Sequence, residues 1–261
     1  MKAAEHAAWR ADARERRAVE RWRPARRWYH PLLTALVIHT SMFITSRMNS
    51  LTIEGREHFD EAMRREGRGL VTYANHVSMF DDPLLISNLA PRAYKEIRWV
   101  ASDAINFFGS ALKAWFFTAG KCVPLVRGAG IDQPGYFFLR DRLLHGDWVH
   151  IFPEGGRTRD PEARMANAFK SSMGRLIDET RPLVLPYYHS GLHEVLPVGS
   201  LVPRRGRELH MLFGDLQDYS DEVDAVADEG QTRWERLAAS AHRRLLRLET
   251  SLRPPGSEAA R

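Results

Sequence analysis

Short apolar runs alternate with helix-length amphipathic segments along this chain. Strand-like runs fall at residues 51–55, 69–74, 97–101, 122–126, 148–152, 183–187 and 208–213. Between most of them lie segments of helical pattern, at 58–66, 83–89, 104–118, 134–144 and 166–180. Strands separated by helices predict an α/β fold, with a mostly parallel or mixed central sheet flanked by helices. Residues 221–248 carry Trp234, Leu237, Ala241, Leu245 and Leu248 as one apolar stripe at helical spacing. A last helix packed onto the body follows from that stripe.

The beginning of the chain has a different pattern. Residues 31–45, PLLTALVIHTSMFIT, are apolar with His39 inside, but a membrane-spanning helix needs about 20 such positions. The stretch suits a helix lying in a membrane interface, and equally an ordinary core helix. Charge bears on that choice. Residues 1–31 hold nine Lys/Arg and four Asp/Glu, so this segment accounts for the whole formal net charge of +5. Its arginines interleave with Trp9, Trp22, Trp28 and Tyr29, a mixture that suits an anionic lipid surface. Nucleic-acid phosphates would attract the same charge, but no recognition module accompanies it, and a solvated arm is the plain alternative. The expected organisation is a basic and aromatic arm with an interfacial segment over 1–45, one domain over 46–250 and a flexible tail over 251–261. A single cysteine, Cys122, excludes an intrachain disulfide framework and gives no basis for a thiolate zinc site.

The densest polar cluster, Asn75-His76-Val77-Ser78-Met79-Phe80-Asp81-Asp82-Pro83, follows a buried strand and precedes a helix opened by Pro83. This is the C-terminal edge of a strand, where α/β proteins place their sites. A turn from His76 to Asp81 can bring the carboxylate to one ring nitrogen, leaving the other to take a proton from a hydroxyl. The same residues also suit a capped helix beside a buried histidine. A second strand exit carries Phe152-Pro153-Glu154-Gly155-Gly156-Arg157, a carboxylate on a glycine turn whose backbone can face an anion. Lys121 and Arg127 flank a further strand, and Arg127 can hold a phosphate bidentately. Cys122 sits in an apolar run with no base nearby and reads as a structural thiol. The aromatic-rich segment 104–118 suits an acyl groove, a second lipid-facing surface or a core helix.

His76 and Asp81 match the histidine-x4-aspartate motif of the glycerol-phosphate and lysophospholipid acyltransferase superfamily, and residues 152–155 match its phenylalanine-proline-glutamate-glycine block. Residues 75–83, 120–129, 146–155 and 185–197 resemble, in order, segments of the tafazzin branch. The resemblance covers roughly residues 46–215. Residues 156–159 depart from it, as does the shorter spacing between Arg127 and Gly146.

The resemblance implies transfer of a fatty acyl group to the hydroxyl of a lysophospholipid at a membrane surface. His76 would be the general base and Asp81 its orienting partner. Glu154, Gly155, Arg127, Lys121 and Arg157 would bind substrate, and backbone amides at Cys122 and Val123 would face the oxyanion. Tafazzin-like exchange would use a phospholipid donor; the alternative is acyl-CoA or acyl carrier protein as donor, to a lysophospholipid or lysophosphatidate. A membrane-binding protein on an acyltransferase scaffold is the non-enzymatic alternative. Neither a metal nor a bound cofactor is expected. The expected partners are phospholipid and lysophospholipid substrates and an anionic membrane, with no nucleic acid. The Arg/Ala-rich composition resembles that of a high-GC bacterium, and no small-x-small cleavage pattern follows the basic arm. The expected place is therefore peripheral or monotopic, on the cytoplasmic face of a bacterial inner membrane.

Overall fold

A computed structural model of the chain describes residues 9–24, 26–89, 93–160, 162–197, 200, 202–225 and 230–253. The strands are β1 (Ser50–Glu54), β2 (Leu70–Ala74), β3 (Trp99–Asp103), β4 (Cys122–Leu125), β5 (Trp148–Ile151), β6 (Leu183–Ser190), β7 (Glu208–Phe213) and β8 (Gln217–Asp218). They form one sheet in the order β1-β7-β6-β2-β5-β3-β4, with β8 pairing with β6. The neighbours β6, β2, β5, β3 and β4 run parallel, β7 is antiparallel to β6, and β1 is parallel to β7. The mixed, largely parallel sheet is the architecture expected from the strand–helix alternation. All five residues of β2 are buried, as a strand covered on both faces requires.

The helices are α1 (Ala13–Arg21), α2 (His30–Phe43), α3 (Arg56–Met63), α4 (Ala104–Phe108), α5 (Ala111–Ala119), α6 (Pro134–Leu144), α7 (Ser171–Thr180), α8 (Leu192–Val195), α9 (Ser220–Asp224) and α10 (Gly230–Leu252). Several expected helices differ in form. The segment at 104–118 breaks into α4 and α5 where Ser110 caps the second helix, accepting the Lys113 amide at 3.3 Å. The segment after the histidine motif is a π turn, Asp82–Ile86, followed by a 3-10 turn, Ser87–Leu89. The helix expected from 166 begins only at Ser171, because residues 166–170 belong to the loop over the site. The C-terminal helix divides into α9 and α10, and its apolar stripe packs as expected: Leu237, Ala241 and Leu245 are buried. Tyr73 of β2 donates to the Ala241 carbonyl at 3.0 Å, and Tyr188 of β6 to Glu249 at 2.9 Å, pinning α10 across the sheet. The tail expected to be flexible lies outside the described residues from 254 onward.

The basic segment is not a free arm where it is described. Asp12 forms a capping box, accepting the Glu15 amide at 2.8 Å while Glu15 accepts its own. Trp9 and Trp22, which sequence patterning assigns to a lipid surface, are 6% exposed and join the main core. Arg21 donates to the carbonyls of Phe108 and Gly109. Two indoles fill the core better than they serve a surface, since each removes a large apolar area from water.

The second helix is inverted relative to an ordinary surface helix. Its buried positions are polar, His30, Thr34 and Ser41, while Leu32 and Leu36 are more than 60% exposed and Phe43 58%. Thr34 satisfies its hydroxyl on the Ala119 carbonyl at 2.9 Å. The exposed stripe continues onto α5 through Leu112, Trp115 and Phe116, and Tyr29 stacks on Trp115 at 5.6 Å. Among the described residues no helix is long and apolar enough to cross a membrane.

Candidate active site

The site grows out of three neighbouring strand exits. Immediately past β2, the chain turns so that Asp81 folds back under its own motif. Asp81 is fully buried and accepts from His76 Nδ1 at 2.8 Å, from the Val77 amide at 2.7 Å and from the Ser78 amide at 2.9 Å. Burial alone would raise its pKa. The opposing influence of His189, the His76 hydrogen bond and the Ser78 amide leave it below the ordinary carboxylate value. His189 is itself held neutral, chiefly by burial, so the His76 bond and the amides are the dependable part of that stabilisation. An ionised Asp81 fixes the proton of His76 on Nδ1, leaving Nε2 as the nitrogen able to accept one. The His76 side chain is 16% exposed, and Phe152 stacks on the ring at 4.2 Å.

Glu154 and its loop lie against the other side of the motif. Glu154 is 3% exposed, and its Oε1 accepts the His76 amide at 3.2 Å. Its Oε2 is buried without a hydrogen bond of good geometry, although the Ala166 and Asn167 amides are near enough to favour the charge. Burial dominates and pushes the carboxyl up to about 7. The loop that follows is laid over the histidine: the Thr158 amide donates to the His76 carbonyl at 2.8 Å, and the Lys170 amide to the Pro153 carbonyl at 2.9 Å. Glu154 is thus within the framework that sets the His76 backbone.

The remaining expected residues divide. Gly155 is exposed with φ at +74°, and Lys170 lies over it, within 3.2 Å of where a β-carbon would stand. Arg127 pairs with Asp103 at 3.1 Å, is 59% exposed, and reaches within 3.9 Å of a β-carbon position at Gly156. Arg157, half-buried, follows on the same turn. Arg127 and Lys170 thus lie against the glycine turn, with the Arg127 charge shared with Asp103. Lys121 does not join them. Its ammonium is buried, donates to the carbonyls of Lys95 and Ile97 at 3.0 and 2.8 Å, and lies over the rings of Tyr94 and Trp99; burial lowers its pKa to about 8. Cys122 and Val123 are also misplaced for an oxyanion role. They pair with Val100 and Ala101 inside edge strand β4, and Cys122 stands level, through Val100 and His150, with Thr72. That is four residues short of His76 and three strands from β2, roughly 14 Å at the usual strand spacing. Burial raises the Cys122 thiol to about 11, which keeps it protonated.

Patterning gives no sign of three further contributions. Asp82, adjacent to Asp81, is spent on a buried bidentate pair with Arg98, which also donates to the Gly120 carbonyl. Trp148, Thr72, His150 and Tyr187 form a hydrogen-bonded chain under the site, with His150 neutral because burial lowers it to about 4. Asn75 and His189 interlock beside Asp81. The last two link residues far apart in sequence that the sheet order brings together, whereas Asp82 and Arg98 are 16 residues apart.

A histidine–aspartate pair at a strand exit, next to a glycine turn, is an arrangement that can accept a proton from a hydroxyl. The comparisons give the class its name. Residues 50–190 match the family described as Acyltransferase, and the chain belongs to that family. It is 36% identical to "Taffazin" of Dictyostelium discoideum over 67% of this chain and 65% of that protein. It is 32% identical to tafazzin of Drosophila melanogaster, over 76% of this chain and 54% of the relative. It is also 32% identical to N-acylphosphatidylethanolamine synthase of Arabidopsis thaliana, over 58% and 57%. The chain therefore spans between about half and two thirds of the length of these relatives. The fold is shared with the 1-acyl-sn-glycerophosphate acyltransferase PlsC of Thermotoga maritima, with a TM-score of 0.55 at 18% identity, over 84% of this chain and 80% of that one.

Proposed function

We propose that this protein transfers a fatty acyl group to the hydroxyl of a lysophospholipid at a membrane surface, with His76 as general base. The observation that carries the proposal is the His76 Nδ1–Asp81 bond of 2.8 Å at the exit of β2. Nε2 takes the acceptor proton, the oxygen attacks the acyl carbonyl, and the histidine returns the proton to the leaving group where that group needs one. Arg127 and Arg157, with the backbone of Gly155, hold the phosphate of the acceptor. Glu154 fixes the His76 backbone. The exposed stripe of α2 and α5 sits in the lipid interface, and the arginines beside it face anionic headgroups.

The donor in this reading is an acyl thioester of coenzyme A or a carrier protein. The thiolate can leave unprotonated, and His76 then gives the acceptor's proton to it or to solvent. The relatives named tafazzin favour a second reading, in which an intact phospholipid is the donor. There the leaving alkoxide must take its proton from His76. Labelled lysophospholipid in vesicles separates them. Product that requires added acyl-CoA or acyl carrier protein supports the first reading, and product from phospholipid alone supports the second. No labelled product with any donor counts against acyl transfer itself.

A further inference from the structure

The ladder between β2 and β6 ends at the pair Ala74 and Tyr187. One residue further on β2, just before His76, a different connection replaces it. The Asn75 side chain takes both backbone groups of His189: its Nδ2 donates to the His189 carbonyl at 2.9 Å, and its Oδ1 accepts the His189 amide at 3.0 Å. The His189 ring returns the contact, its Nε2 donating to the Asn75 carbonyl at 3.0 Å. The same Nε2 lies 3.8 Å from Asp81 Oδ2. Both side chains are fully buried, so this N–H dipole acts on the carboxylate through an interior where such fields are strong.

Packing alone does not account for a histidine at 189. Its Nδ1 is buried with no hydrogen-bond partner among the described residues. An orphaned ring nitrogen carries a desolvation cost that an apolar side chain of similar volume would avoid. What the imidazole provides, and an apolar side chain would not, is a donor at the Nε2 position, directed at the strand exit that carries His76 and facing the aspartate that holds it.

We propose that His189 is a positioning residue for the His76–Asp81 pair, fixing Asn75 and the Asp81 carboxylate so that the His76 ring keeps one orientation and one tautomer. The proposal rests on the acyl-transfer reading for its kinetic consequence, but not for its structural one. His189 touches no reacting atom, and its effect passes through Asp81.

The test uses the full chain with His189→Leu and His189→Gln, the amide nitrogen of glutamine standing near the lost Nε2. On vesicles with the active donor, His189→Leu should lose kcat by on the order of 100-fold, the scale of misplacing a catalytic group, with KM within about threefold. His189→Gln should recover kcat to within about fivefold. If His189→Leu does not fold, His189→Asn, whose amide stops short of the Nε2 position, replaces it. In histidine-15N spectra, with the His76 signals assigned by their loss in His76→Ala, wild type and His189→Gln should show His76 as the single Nδ1–H tautomer. The Leu or Asn protein should show a mixture. A folded Leu or Asn protein with wild-type kcat and a single tautomer overturns the proposal. So does a Gln protein as impaired as the Leu protein, which would make the site a packing requirement only. The tautomer measurement needs no substrate, so inactivity of the wild type would sink the acyl-transfer reading while still deciding this one.

Discussion

At the scale of single residues, the account depends on where protons sit. Asp81 keeps the His76 proton on Nδ1, so Asp81→Asn, which no longer favours that tautomer, should cost on the order of 1,000-fold in kcat and, because the lost charge is held by buried hydrogen bonds, should also lower the melting temperature at neutral pH. Retention of wild-type kcat would contradict this. Glu154 makes an opposite kind of prediction. Burial raises its folded pKa to about 7 from an ordinary value of 4.5. The folded state therefore holds a proton that the unfolded state releases, and stability falls as pH rises through that window. Glu154→Gln should remove the decline, raising stability at pH 8 by about 2–3 kcal/mol relative to wild type and leaving pH 5 nearly unchanged. Thermal melts at the two pH values measure it, and a larger loss at pH 8 than at pH 5 would contradict the assignment. His76, Asp81 and Glu154 are legible in sequence because each lies within a few residues of a strand end and a turn. His189 is not, because its partners Asn75 and Asp81 are more than a hundred residues away and meet it only through the β2–β6 pairing.

At the scale of elements, close approaches set what the chain tolerates. Helices α7 and α10 pack so tightly at Gly174 that a β-carbon there would stand 1.8 Å from the Trp234 carbonyl oxygen. Gly174→Ala should destabilise by about 1–3 kcal/mol, the usual cost of overpacking, and calorimetry showing an unchanged melting temperature would refute the close packing. Strand positions were legible from the apolar runs to within a residue or two for most of the sheet. Helix form was less so. Residues 104–118 read as one apolar helix, yet the Gly109–Ser110 break turns Phe108 into the core and leaves Leu112, Trp115 and Phe116 exposed. Trp9 and Trp22 show the same limit, since basic and aromatic residues look alike in sequence whether a helix lies on lipid or on its own protein.

At the scale of the molecule, the inverted helix α2 and the exposed part of α5 make one apolar surface beside the basic segment. Leu32→Glu with Leu36→Glu should weaken vesicle binding by at least about tenfold, from lost apolar transfer alone, while leaving the fold intact because both residues face outward. Sedimentation with anionic vesicles measures it, and unchanged binding would move the membrane contact elsewhere. In the proposed function, His76 performs chemistry on a lipid bound at this surface. The most direct test compares wild type and His76→Ala on identical vesicles, following labelled lysophospholipid with thioester and phospholipid donors while vesicle binding is recorded. Binding should be equal, and acyl transfer should fall by at least about 1,000-fold in the mutant. Acyl transfer that survives in the bound mutant would contradict it.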